Sequence, residues 1–140
     1  MAVVLDTSVV VAFMVEDEPD HEAVTTWIEA LDDDLVTTPL ALAEMDHVML
    51  KRAGRFAVVR LWQDFDTGAY QVRWWADALR ETLKIARVEG HLGIGLADAS
   101  LVALAERLGT LHIATLDHRH FRRLAARDGE PFVVLPADAS

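Results

Sequence analysis

Short apolar runs that alternate with helix-period segments limit this chain to one class of fold more than any other feature does. "AVVL" (2–5), "LVTTP" (35–39), "TLHIAT" (110–115) and "PFVVLP" (131–136) are rich in β-branched residues and too short for helices. They read as buried strands, and "AYQVRWW" (69–75) is a fifth β-like stretch. Between them the spacing changes. Val24, Trp27, Ile28 and Leu31 fall at i, i+3, i+4 and i+7 behind the opener Pro19, and Val58, Leu61, Trp62 and Phe65 repeat that pattern before "DTG". "TSVVVAFMVED", "LALAEMDHVMLKRAG", "ADALRETLKIARVEG" and "HRHFRRLAARDG" also read as helices, the second of them ended by Gly54. A helix over 97–108 puts Leu101, Leu104, Ala105 and Leu108 on one stripe and stops at Gly109. This alternation predicts an α/β protein in three layers: a central, mainly parallel sheet with helices on both faces, in a single domain over 1–140.

The totals fit that reading. A chain of 140 residues with 52% hydrophobic residues buries a core without staples, and the lack of cysteine excludes disulfides and thiolate metal sites. The start "MAVVLDTS" has no basic n-region, and no run reaches the ~20 apolar residues of a membrane span, so the expected location is the cytoplasm. A net charge of −10 lacks the usual basic footprint of a nucleic-acid binder, but the charge is unevenly spread. Residues 1–50 hold twelve acids and no Lys or Arg, whereas the rest holds thirteen bases against eleven acids, so the two parts carry −12 and +2.

Against this background four carboxylates stand out. Asp6 closes the first strand, Asp117 follows the strand over 110–115, and Asp98 lies three residues before Leu101 on the inward face of its helix. Glu44 falls in the stripe of Ala41, Met45 and Val48, which predicts an inward side chain, and no base in the first fifty residues can pair with it or with Asp6. Three of the acids also have a plain reading: a turn at Asp6, an N-cap or first-turn acid favoured by the helix dipole at Asp98, a cap at Asp117. In a parallel sheet, however, ligands bind beyond the carboxyl ends of the strands. Were the four to converge there, repulsion and desolvation would raise their pKa values and a divalent cation would relieve them. Oxygen-only donors select Mg2+ or Mn2+, whose chemistry on a phosphodiester is that of a nuclease.

"LDTSVVVAFM", "PLALAEMDHVM", "GLADASLVALAERLG" and "ATLDHRHFRRL" resemble, in order, the four motifs of PIN-domain ribonucleases, most closely bacterial toxins of the VapC kind. The resemblance implies a PIN-like fold and a metal-dependent endoribonuclease acting as the toxin of a toxin–antitoxin pair. It makes Asp6, Glu44, Asp98 and Asp117 the metal-binding acids and Thr115 the hydroxyl that positions the site, with Ser8 a lesser candidate that also suits a helix cap. Some relatives carry a further acid after the fourth, where this chain has His118, Arg119 and His120. The resemblance also implies a homodimer and a small VapB-type antitoxin, for which Asp17, Glu18, Asp20 and Glu22 offer an acidic landing surface or simply a solubility face.

Two basic clusters follow the acids. Lys51, Arg52 and Arg55 come after the Glu44 helix; Arg119, Arg122, Arg123 and Arg127 come after Asp117, and all are candidate RNA-phosphate contacts or a solvated helix face. His118 and His120 are candidate RNA contacts or proton donors, and Trp74 and Trp75 offer base stacking, core packing or a dimer contact. Receiver domains and haloacid-dehalogenase-type phosphatases also place acids at strand ends. The lone Asp6 before Thr7 lacks the acidic pair of the first and the Asp-x-Asp-x-Thr start of the second. The alternative from another class is a catalytically inactive RNA-binding or regulatory module of the same fold.

Overall fold

The computed structural model describes residues 1–126 and 129–139. Five parallel strands form its sheet: β1 (Ala2–Leu5), β2 (Asp34–Thr37), β3 (Gln71–Val72), β4 (His112–Ala114) and β5 (Val133–Leu135), in the order β3-β2-β1-β4-β5. Strand β1 lies at the centre, its Val4 paired with Val36 of β2 on one side and Ile113 of β4 on the other. That position explains the unbroken apolar run, since Val3, Val4 and Leu5 are fully buried. Helices α1 (Thr7–Met14), α2 (His21–Glu29), α3 (Pro39–Ala53), α4 (Arg55–Asp66), α5 (Ala78–Glu89), α6 (Leu96–Leu108) and α7 (His118–Phe121) flank the sheet. The α/β class and the parallel sheet follow the sequence reading.

Local chemistry sets the ends of the elements that carry the acids. Thr38 caps α3, its hydroxyl accepting the Ala41 N–H at 3.2 Å, and Pro39 takes the first helical turn, where its missing N–H costs nothing. Gly54 and Gly109 end α3 and α6 at φ of 85° and 67°, a left-handed region that glycine enters freely. Helix α6 is buried without interruption from Ala99 to Ala105, which makes it the central helix of the core.

A short relay of hydroxyls locks α3 to α6. The Thr38 hydroxyl meets that of Ser100 at 2.6 Å, and Ser100 donates to the Ala97 carbonyl at 2.7 Å. With Ala41 N–H entering at Thr38, every donor in this buried relay is used. Nearby, Thr37 Oγ1 donates to the Leu5 carbonyl at 2.9 Å and ties β2 to the residue before Asp6.

Several elements are shorter than their patterns predict: β2 ends at Thr37, with Pro39 already in α3, and β5 keeps only Val133–Leu135. Of 69–75 only Gln71 and Val72 pair, at the sheet edge; Tyr70 turns in against Phe65, and Trp75 packs on the core with its Nε1 donating to Glu81 at 3.0 Å. Trp74 lies beside Trp75, with ring centroids 5.9 Å apart. Strand β4 loses Thr110, whose hydroxyl donates to the Ala2 carbonyl instead, and Thr115, which turns into the site described below. The last helix stops at Phe121 rather than running through "RRLAARDG", because Ala125 pairs with Pro131 and Leu124 is drawn into the core. Arg127 lies outside the described residues.

Candidate active site

Asp6 is the hub of a cleft at the carboxyl ends of β1 and β4. Its backbone N–H donates to the Ala114 carbonyl of β4 at 2.9 Å, which joins the two strand ends. Its Oδ1 accepts the Thr7 N–H at 2.8 Å and caps α1. Its Oδ2 accepts the hydroxyls of Thr115 at 2.7 Å and Ser8 at 3.1 Å. Those hydroxyls in turn accept backbone N–H groups, Thr115 from Asp117 at 3.0 Å and Ser8 from Leu116 at 2.9 Å. Asp6 thus caps α1 with one carboxylate oxygen and presents the other to the hydroxyls of the cleft.

Asp98 projects into the same cleft from the first turn of α6, half-buried. Asp117 occupies the cap position of α7, yet its carboxylate caps nothing; it faces His120, whose Nδ1 lies 3.0 Å from Asp117 Oδ2 and 3.1 Å from Asp98 Oδ2. Glu44 reaches the cleft from α3, but it is exposed at the mouth rather than turned into the core as its stripe predicts. Glu is long enough for its charge to stay in water while its helix packs through Ala41, Met45 and Met49. The cleft has a volume of about 540 Å3, and Glu18 and Asp20 line it as well. Those two acids escaped the sequence reading as site residues because they stand in the α1–α2 loop, where no periodicity marks a direction. A larger groove of about 730 Å3 beside α5 and α6 carries charges of mixed sign, among them Lys84, Glu89 and Arg107.

Burial governs the electrostatics. It pushes the Asp6 carboxyl up to about 6, with the Asp98 charge adding to the rise and the hydrogen bonds from Thr115, Ser8 and Thr7 opposing it. Asp98 is also raised, first by burial and then by the charges of Glu44 and Asp117, against the His120 contact. The four carboxylates predicted from sequence thus share one field.

Residues 3–127 match the PIN-domain family. The chain is 35% identical over 134 residues to Ribonuclease VapC26 of Mycobacterium tuberculosis, an alignment covering 95% of this chain and 99% of that protein. The chain belongs to the PIN-domain family, in its VapC branch. Solved structures share the fold: Mycobacterium tuberculosis VapC20, described as a Sarcin-Ricin loop cleaving toxin, superposes with a TM-score of 0.74 at 17% identity, covering 79% of this chain and 86% of that one. VapBC2 from Rickettsia felis, bound to a DNA fragment from its promoter, superposes with a TM-score of 0.67 at 14% identity, covering 96% and 98%.

In this PIN domain the candidate RNA-binding bases divide into two groups. Arg52 is engaged: its Nη2 lies 3.1 Å from Asp17 and its Nε donates to Glu18 at 3.0 Å, pinning the α1–α2 loop to the end of α3. Arg122 is engaged too, in a two-pronged pair with Asp138 at 2.7 and 2.6 Å, while Asp138 also accepts the Val134 N–H at 2.8 Å. Arg55 lies over the Trp62 ring, 5.9 Å from its centroid. Lys51, Arg119 and Arg123 are exposed, with no carboxylate partner among the described residues.

The donors of the PIN domain's cleft suit a hard divalent cation, because the acids offer only oxygen and raise one another's proton affinity. Asp6, Asp98, Asp117 and Glu44 are the residues that would hold it. They are not gathered into a ready cage among the described residues.

Proposed function

We propose that this chain is a Mg2+- or Mn2+-dependent endoribonuclease, the toxin of a toxin–antitoxin pair, that hydrolyses RNA phosphodiester bonds. The observation that carries the reading is the convergence of Asp6, Glu44, Asp98 and Asp117 on one cleft, with Asp6 ordered by three donors. A bound ion supplies an activated water and stabilises charge that develops on a phosphate oxygen. The chain's own residues do the rest. Thr115 and Ser8 fix the Asp6 carboxylate in one orientation, and Thr38 and Ser100 hold the Glu44 helix against the Asp98 helix. Lys51, Arg119 and Arg123 are the exposed bases best placed in sequence to take substrate phosphates on either side of the acidic cleft, with Arg55 beside them.

The partner in this reading is a small VapB-type antitoxin, and the working form is a cytoplasmic homodimer. Family membership and the VapBC neighbour support that partner. No helix among the described residues is long and apolar enough to cross a membrane. Glu18 and Asp20 in the cleft wall, with Asp17 and Glu22 beside them in sequence, supply the negative surface that a basic antitoxin segment would seek.

Purified protein incubated with total RNA in Mg2+, in Mn2+ and in EDTA tests the reading, with the cut ends mapped. Discrete products in both metals and none in EDTA are expected. Tight RNA binding without metal-dependent product would replace the enzyme by a binding module.

A further inference from the structure

His120 stands between two of the carboxylates that a cation would need. Its Nδ1 faces Asp98 Oδ2 at 3.1 Å and Asp117 Oδ2 at 3.0 Å, so one ring nitrogen bridges the first turn of α6 and the start of α7. Both partners are acceptors when ionised, which obliges that nitrogen to carry its hydrogen. The ring is held in place. His120 precedes the fully buried Phe121, is itself only half exposed, and lines the cleft beside Asp6 and Glu44. Without this donor Asp98 and Asp117 would meet as bare like charges, in a cleft where Glu44 already acts on Asp98.

We propose that His120 is the residue that keeps Asp98 and Asp117 converged while no cation is bound, and that cation uptake exchanges its N–H for the ion. The inference rests on the metal-dependent reading above. It makes His120 a positioning residue that competes with the ion. A contact made only in the metal-free protein lowers the apparent affinity for whatever displaces it. The ring therefore orders the site and at the same time weakens its hold on the metal.

Calorimetric titration of the RNA-free protein with Mn2+ tests this, comparing the parent with His120→Ala, His120→Asn and His120→Gln. The Asn amide places an N–H donor near the position of Nδ1, whereas the longer Gln carries its donor past it. His120→Ala and His120→Gln should bind Mn2+ about tenfold more tightly, the effect of removing one charge-assisted hydrogen bond from the metal-free state alone. His120→Asn should stay within about threefold of the parent. In EDTA the Ala and Gln variants should melt below the parent, with the gap closing at saturating Mn2+. Weaker binding by both would make the ring a ligand and overturn the proposal, and so would unchanged binding. A folded parent that takes up no Mn2+ would overturn the metal reading and this inference together, whereas parent-like affinity in both variants removes the inference alone.

Discussion

The Thr115 hydroxyl donates to Asp6 Oδ2 at 2.7 Å across a sequence separation of 109 residues, and both residues are buried. Thr115 Oγ1 also accepts the Asp117 N–H, so one hydroxyl sets two of the site's acids. Thr115→Val should therefore lower cleavage by about tenfold or more and destabilise the fold by about 1–3 kcal/mol, since two buried groups lose a partner. Thr115→Ser keeps the hydroxyl and should retain most of both. Equal activity in the Val and Ser variants would show that the hydroxyl orders nothing.

Asp6 also makes a pH prediction. Its carboxyl titrates at about 6 in the folded protein against an ordinary value of 3.8, so the native state binds the proton more tightly than the unfolded chain. The resulting stability is fully present below the ordinary value and is lost as pH rises through the folded one. For metal-free protein, stability should fall on the order of 3 kcal/mol from this group between about pH 4 and pH 7. Denaturant melts in EDTA across that window should show the slope in the parent and a flatter profile in Asp6→Asn. Parallel profiles would mean that Asp6 is not the group responsible.

Glu44 and Asp46 lie on one helix and point to different work. Glu44 enters the cleft, while Asp46 accepts the Trp62 Nε1–H at 2.6 Å on the α4 side. Glu44→Gln should reduce RNA cleavage by at least about a hundredfold, the scale of removing a group that stabilises charge in the transition state. Asp46→Asn should cleave nearly as the parent does and lose about 1 kcal/mol of stability. Rates and melting temperatures measured on the same preparations decide it; a dead Asp46→Asn would reverse the assignment of faces.

The Arg122 pair changes what its substitution should do. Because its guanidinium is held by Asp138, which also accepts the Val134 N–H, Asp138→Ala should destabilise more than Arg122→Ala, and the double variant by little more than Asp138→Ala alone. Arg119→Ala with Arg123→Ala should instead weaken RNA binding and flatten its dependence on salt, since fewer counterions are released. An additive cycle at Arg122 and Asp138 would return Arg122 to the RNA-binding group, and an unchanged salt slope for the other pair would remove Arg119 and Arg123 from it.

Legibility followed the range of the interaction. Asp6 was readable because an apolar run ends abruptly in a carboxylate, and α3 because Gly54 marks its end. Asp98 was readable as a charge at the start of a helix that is buried without a break from Ala99 to Ala105. Glu18 and Asp20 were not, since a loop has no period to show which way it faces. The pairing of Arg52 with Asp17 and Glu18, and of Arg122 with Asp138, joins distant segments whose local sequences carry no sign of each other. Glu44 shows the converse: its stripe was right for the helix backbone and wrong for the end of a long side chain.

The pairing of β1 with β4 has a consequence for when the protein can act. Asp6 is made well before the hydroxyl and the acid that complete its surroundings, which arrive only with Thr115 and Asp117. A nascent chain that has not yet delivered β4 has no partner for the open side of β1, and hence no site. Synthesis thus imposes its own delay, since the cleft stays incomplete until the segment carrying Thr115 and Asp117 has been delivered to β1.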